Sequence, residues 1–99
     1  MKIIYHPKIE QAILFLSEKD KSKVIKIVDL FEDYSFQLSG EYLKKITREI
    51  WELRAGNYRL LFGIIKQFGI VVNLFQKKTQ KMPIKEIKLA ISRFKQYEK

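Results

Sequence analysis

The chain has no cysteine, one histidine (His6), two prolines and four glycines in 99 residues. Without cysteine there is no disulfide and no thiolate metal site, which fits a reducing compartment. A single imidazole excludes a His-based triad and a His-rich metal centre, and its place before Pro7 marks it as a boundary residue. The glycines stand singly, so no phosphate-cradling glycine loop exists. The N-terminus Met1-Lys2-Ile3-Ile4-Tyr5-His6-Pro7 lacks the apolar core of about 7 to 15 residues that a signal peptide needs. No apolar run approaches the roughly 20 residues of a membrane span. The expectation is a protein that stays in the cytoplasm and contacts no membrane.

Negative charge is scarce in only one half. Residues 1 to 40 carry six lysines against six acids, whereas residues 41 to 99 carry fourteen Lys or Arg against five acids and hold the whole excess of +9. Basic charge alone can serve solubility, but concentration in one half is the electrostatic footprint of a polyanion-binding surface. Hydrophobic residues at 46% and charged residues at 31% describe a globular chain, and the length suits a single domain, 1–99.

The hydrophobic spacing predicts an α+β fold. Lys2 to Tyr5 is an edge-strand candidate ended by Pro7, which suits the first position of a helix carrying Ile9, Ala12, Ile13 and Leu16 on one face. Asp20 is placed to cap a second helix with the stripe Val24, Ile27, Val28 and Phe31, completing a helical hairpin. After a linker over 35–40, strand candidates run from Tyr42 to Ile46, Ile50 to Arg54, Tyr58 to Ile65 and Ile70 to Phe75, an antiparallel meander of three to four strands. Pro83 opens a last helix whose buried stripe is Ile84, Ile87, Ala90, Ile91 and Phe94.

If Gly56-Asn57 forms a two-residue turn, Arg54 faces Arg59, Leu53 faces Leu60, Glu52 faces Leu61 and Trp51 faces Phe62. Trp51, Leu53, Ala55, Tyr58, Leu60, Phe62 and Ile64 then share an apolar face for the helices to cover, and Glu52, Arg54 and Arg59 fall on the other. Directly opposed arginines destabilise a purely structural sheet unless Glu52 relieves them. Two readings stay open: a solvated ion-pair network, or an arginine fork for bidentate phosphate contact. Lys77, Lys78 and Lys81 follow the last strand and would enlarge a phosphate site; Phe75 or Tyr97 would add a stacking surface, although core packing suits Phe75 better. Five acids in the basic half leave little for a metal cluster, so metal-free chemistry without a cofactor is expected.

Leu43-Lys44-Lys45-Ile46, Trp51-Glu52-Leu53-Arg54, Tyr58-Arg59 and the run Phe75 to Pro83, ending in Glu86-Ile87 and Ala90, resemble the RelE/HigB-type toxins of bacterial type II toxin-antitoxin systems, more narrowly their phage-derived subgroup. The resemblance covers about residues 1 to 97 and implies the RelE-like microbial ribonuclease fold. It further implies a toxin that enters the ribosome, cleaves mRNA by attack of the RNA 2′-hydroxyl on the adjacent phosphate, and is blocked by a cognate antitoxin. By matching motifs Arg59 would stabilise the phosphorane, assisted by Arg54 and Lys78. Lys77, Lys81, Lys44 and Lys45 would hold RNA backbone. Glu52 would be a general base or an orienter of Arg54, because a carboxylate held against a guanidinium is a weakened base.

Two departures bear on that chemistry. Subgroup members often carry His-Gly where this chain has Asn73-Leu74, which removes a proton donor and leaves Lys78 or Tyr97 as candidates. Ile50 and Glu52 stand where better-known ribosome-dependent nucleases have lysines. A related scaffold that poisons DNA gyrase, or a basic module that only binds nucleic acid or an acidic partner, are the alternatives.

Overall fold

The computed structural model describes residues 1–98. Strand β1 (Lys2–Tyr5) leads into α1 (Pro7–Leu14), which Pro7 opens at a position where no backbone N–H is needed. His6 is the boundary residue expected: its Nδ1 accepts from Lys8 N at 3.1 Å. Burial, together with Arg93 and Lys8 nearby, holds its ring below the ordinary histidine pKa, which favours the neutral, accepting form.

Helix α2 (Glu18–Tyr34) is capped by Ser17, whose Oγ accepts from Asp20 N at 3.1 Å, and not by Asp20. Both residues are good caps, but Ser17 directly follows the turn that ends α1. Asp20, inside the first turn, instead accepts from the Tyr58 hydroxyl at 3.1 Å and fastens α2 to the sheet. Val24, Ile27, Val28 and Phe31 are all buried, as their spacing predicts. A 3-10 turn, Ser35–Gln37, occupies part of the expected linker.

Strands β2 (Leu43–Lys45), β3 (Trp51–Ala55), β4 (Tyr58–Ile65) and β5 (Phe68–Gln76) form an antiparallel meander, and α3 (Ile84–Lys95) closes the chain. The sheet has five strands in the order β1-β5-β4-β3-β2. It is mixed: β1 is the expected edge strand but runs parallel to β5. No hairpin turn joins those two strands, so nothing local imposed an antiparallel direction.

The hairpin register around Gly56-Asn57 is the predicted one, with Ala55 opposite Tyr58, Arg54 opposite Arg59, Leu53 opposite Leu60, Glu52 opposite Leu61 and Trp51 opposite Phe62. Gly56 sits at φ +63°, a conformation glycine adopts without strain. Leu53, Ala55, Leu60 and Phe62 join Ile9, Val24, Ile27 and Phe31 in one core, with Trp51, Tyr58 and Ile64 packed on it.

The helices do not share one face of the sheet. A second core of Ile50, Leu61, Ile70, Val72, Ala90 and Phe94 lies on the opposite face, where α3 packs over β4 and β5. A Cβ at Gly63 would collide with the Phe94 ring, so that glycine sets the approach of α3. Ile84, expected in the buried stripe, is 68% exposed at the first position of α3, while Ala90 and Phe94 are buried. Because α3 covers β4 and β5, the hairpin end of this second face stays open.

Candidate functional site

On that open end stand Glu52, Arg54 and Arg59. Alternation along β3 puts Glu52 and Arg54 on one side, and the register puts Arg59 directly across from Arg54. Glu52 is completely buried (0% exposed) and, among the described residues, is one of two buried polar or charged ones, the other being Asn73 at 4%. A buried carboxylate needs a partner, and Arg54 Nε donates to its Oε1 at 2.8 Å. Its Oε2 lies 3.7 Å from Arg59 Nε, an ion pair by distance but too long for a hydrogen bond, so both atoms are buried without a hydrogen-bond partner. The carboxylate therefore sits between two guanidiniums and offsets their repulsion.

The result is neither a solvated network nor an open pair of arginine forks. Arg59, 13% exposed in its side chain, turns Nη1 back to the hairpin, donating to Gly56 O at 2.8 Å and Tyr58 O at 2.9 Å. Burial lowers its pKa, Glu52 opposes the shift and Arg54 adds to it; the guanidinium still stays charged near neutral pH. Arg54, 30% exposed, gives only its Nε to Glu52. Among the described residues, no protein acceptor takes the Nη groups of Arg54 or Nη2 of Arg59.

These guanidiniums line an open depression of about 410 Å³ together with Lys77, Lys78, Thr79 and Gln80. Every lining residue is polar or cationic, and none is acidic. The loop is brought there by the end of β5: Lys77 N donates to Asn57 O at 2.7 Å, tying it to the hairpin turn. Thr79 Oγ1 donates to Lys81 O at 3.1 Å and shapes the next residues.

The other basic candidates divide. Lys44 is exposed and pairs with Glu52 across β2 and β3, so it shares the basic face. Lys45 does not: it lies opposite Trp51, with Nζ 5.5 Å from the ring centroid, on the face that α2 covers. Lys81 is exposed and lies outside the lining of the depression. Thr79 and Gln80, within the run Phe75 to Pro83, are carried to the depression by the path of the loop, which strand alternation does not specify.

Asn73, where a proton donor had been expected to be missing, is a structural clip. Its Nδ2 donates to Glu86 O and Oε1, both at 3.0 Å, and its Oδ1 accepts from Leu74 N at 2.9 Å, binding β5 to the first turn of α3. Tyr97 meets His6 edge-on at 6.3 Å between centroids and does not line the depression. Phe75 lies opposite Arg59 and packs on the second core, which makes core packing its role.

Residues 11–95 match the sequence pattern of a family described as phage-derived protein Gp49-like. No curated protein matches the chain. Among solved structures it is similar to a chain in the crystal structure of the archaeal RelE-RelB complex from Pyrococcus horikoshii OT3, with a TM-score of 0.63 over 81% of this chain and 97% of that one. Sequence identity is 14%, so this likeness is one of fold.

Proposed function

Since the chain belongs to the Gp49-like family of phage-derived proteins, a family of RelE/HigB-like toxins, we propose that it is the toxin of a type II toxin-antitoxin system and cleaves mRNA on the ribosome. The observation that carries this reading is the buried Glu52, which holds Arg54 beside Arg59 at the wall of a depression shared with Lys77 and Lys78. A cationic, acid-free depression suits a phosphodiester whose negative charge grows during reaction.

In the reaction the 2′-oxygen attacks the adjacent phosphorus as its proton passes to solvent water in the open depression, and the bond to the 5′-oxygen breaks as that oxygen takes up a proton from Lys78. A cyclic phosphate and a free 5′-hydroxyl result. Arg54 and Arg59 stabilise the phosphorane oxygens, and Lys77 holds the flanking backbone. Lys78, exposed at the depression, is the donor candidate for the leaving oxygen. Glu52 acts as a positioning residue and not as the base, because it is wholly buried, bonded to Arg54 and absent from the lining. Lys44 and Lys81 extend the backbone contacts. The archaeal RelE of the similar structure is in complex with RelB, which supports a cognate antitoxin as this protein's partner.

A second reading, a basic module that binds without cutting, gains from the commitment of Arg59 Nη1 to the hairpin carbonyls. Brief expression in growing bacteria, with mapping of mRNA 5′ ends for wild type and Arg59→Ala at matched abundance, separates the readings. Codon-phased cuts that vanish in the variant are expected. Growth arrest by the wild type with intact mRNA would overturn the nuclease, and accompanying DNA damage would point to gyrase.

A further inference from the structure

The N-terminal half is neutral in sum, yet two of its lysines face the basic end of the molecule. Lys23 and Lys26, one turn apart on α2, line a second depression with Ile27, Leu30, Tyr42 and Arg54, of about 190 Å³. Sheet geometry explains why it exists. Strand β2 stops pairing near Tyr42, whose carbonyl accepts from Arg54 N at 2.9 Å, and among the described residues no strand neighbours that edge of β3 beyond this point. The side chain of Lys23 reaches over this edge, close enough that a Cβ at Gly56 would lie 3.5 Å from its Cδ. Lys23 is only loosely paired, with Nζ 4.0 Å from Asp20 Oδ1.

The two depressions differ in kind. The first is polar throughout, whereas the second has an apolar floor from buried Ile27 and half-buried Leu30, an aromatic side chain 40% exposed in Tyr42, and a cationic rim. No acidic residue lines either, and Arg54 lines both. A flat heterocycle against an apolar and aromatic surface, with cations beside its backbone, is how proteins hold an unstacked base.

We propose that the depression between α2 and the edge of β3 receives the nucleobase next to the cleaved phosphodiester, with Tyr42 as its stacking surface, Lys23 and Lys26 on the neighbouring phosphate, and Arg54 as the wall between base site and phosphate site. This rests on the RNA-cleaving reading above. It makes Tyr42 a substrate-positioning residue and brings α2 into substrate binding.

The test uses ribosomes programmed with mRNA in which each nucleotide flanking the cleaved bond is replaced in turn by an abasic residue. With wild type, removal of one of these two bases should lower kcat/KM roughly fivefold to 150-fold, the range of base-aromatic stacking. With Tyr42→Ala that penalty should disappear, and with Tyr42→Phe it should persist. Lys26→Ala should raise KM for intact and abasic mRNA alike and leave kcat unchanged. A thermal midpoint for each variant identifies any loss due to unfolding, and the penalty ratio within one variant is independent of how much of it is folded. If wild type cuts no mRNA, the RNA-cleaving reading fails and this inference with it. If wild type cuts and the abasic penalty is the same with and without Tyr42, the base site alone is overturned and the depression is left to a protein segment.

Discussion

The two faces of the β3–β4 hairpin are built from alternating residues of the same two strands, and they do opposite things. One carries Leu53, Ala55, Leu60 and Phe62 into the larger core under α1 and α2. The other carries Glu52, Arg54 and Arg59, with a carboxylate buried between guanidiniums and an open depression beside it. A single register specifies both, so a one-residue slip of either strand would turn its arginine under the helices and its core residues outward. The contrast teaches that the same pairing secures the fold and aims the charge, and that Glu52 belongs to both tasks.

Glu52→Ala should give the largest effect. Removing one partner of a buried ion pair typically costs about 3–5 kcal/mol, and here it would leave two facing arginines without a counter-charge. Chemical denaturation should show a fall of that order. A variant of wild-type stability would mean that the carboxylate is dispensable to the fold and that the two faces are independent after all.

Arg59→Ala should separate the faces in the other direction. Loss of one donor to a developing oxyanion lowers rates by roughly a hundredfold to a thousandfold, while stability should fall by less than in Glu52→Ala, because Arg54 stays bonded to the buried carboxylate and its repulsion from Arg59 is relieved. Ribosome-programmed cleavage read beside a melting curve checks this. Unfolding in place of a rate loss would make Arg59 a structural residue.

Gly63→Ala probes the second core by contrast with the site. The added methyl would meet the Phe94 ring, and overpacking of this kind costs about 1–3 kcal/mol. The melting midpoint should fall. Cleavage per folded molecule should hold, since Gly63 lies away from the depression.

The parts legible in the sequence were those with local causes. Gly56-Asn57 set the hairpin register, and the apolar spacing in α2 set its buried stripe. What stayed hidden depended on distant packing. The direction of β1 depends on no turn. The face taken by α3 depends on where Gly63 admits Phe94 and on the clip from Asn73 to Glu86, neither of which leaves a pattern in its own segment. For the candidate site, the proximity of Glu52, Arg54, Arg59, Lys77 and Lys78 followed from strand alternation and chain order. The backbone hold on Arg59 and the approach of Lys23 did not, because both are contacts made by flexible side chains after folding.

The smallest effects, from Lys44 and Lys45, give the sharpest test of the comparison, since the two are adjacent on β2 and face opposite ways. Lys44 pairs with Glu52 and Lys45 with Trp51. If RNA runs along the basic face, Lys44→Ala should remove one phosphate contact and reduce the slope of log affinity against log salt by roughly 0.7 to 0.9. Lys45→Ala should leave that slope unchanged and instead lose the contact over the Trp51 ring, about 0.5–1 kcal/mol of stability at an exposed site. Measuring ribosome-mRNA binding at several salt concentrations, with a melting curve for each variant, distinguishes two lysines that composition cannot tell apart. Equal salt slopes for both would mean that the field of the whole basic half attracts RNA and that the facing of a single residue does not matter.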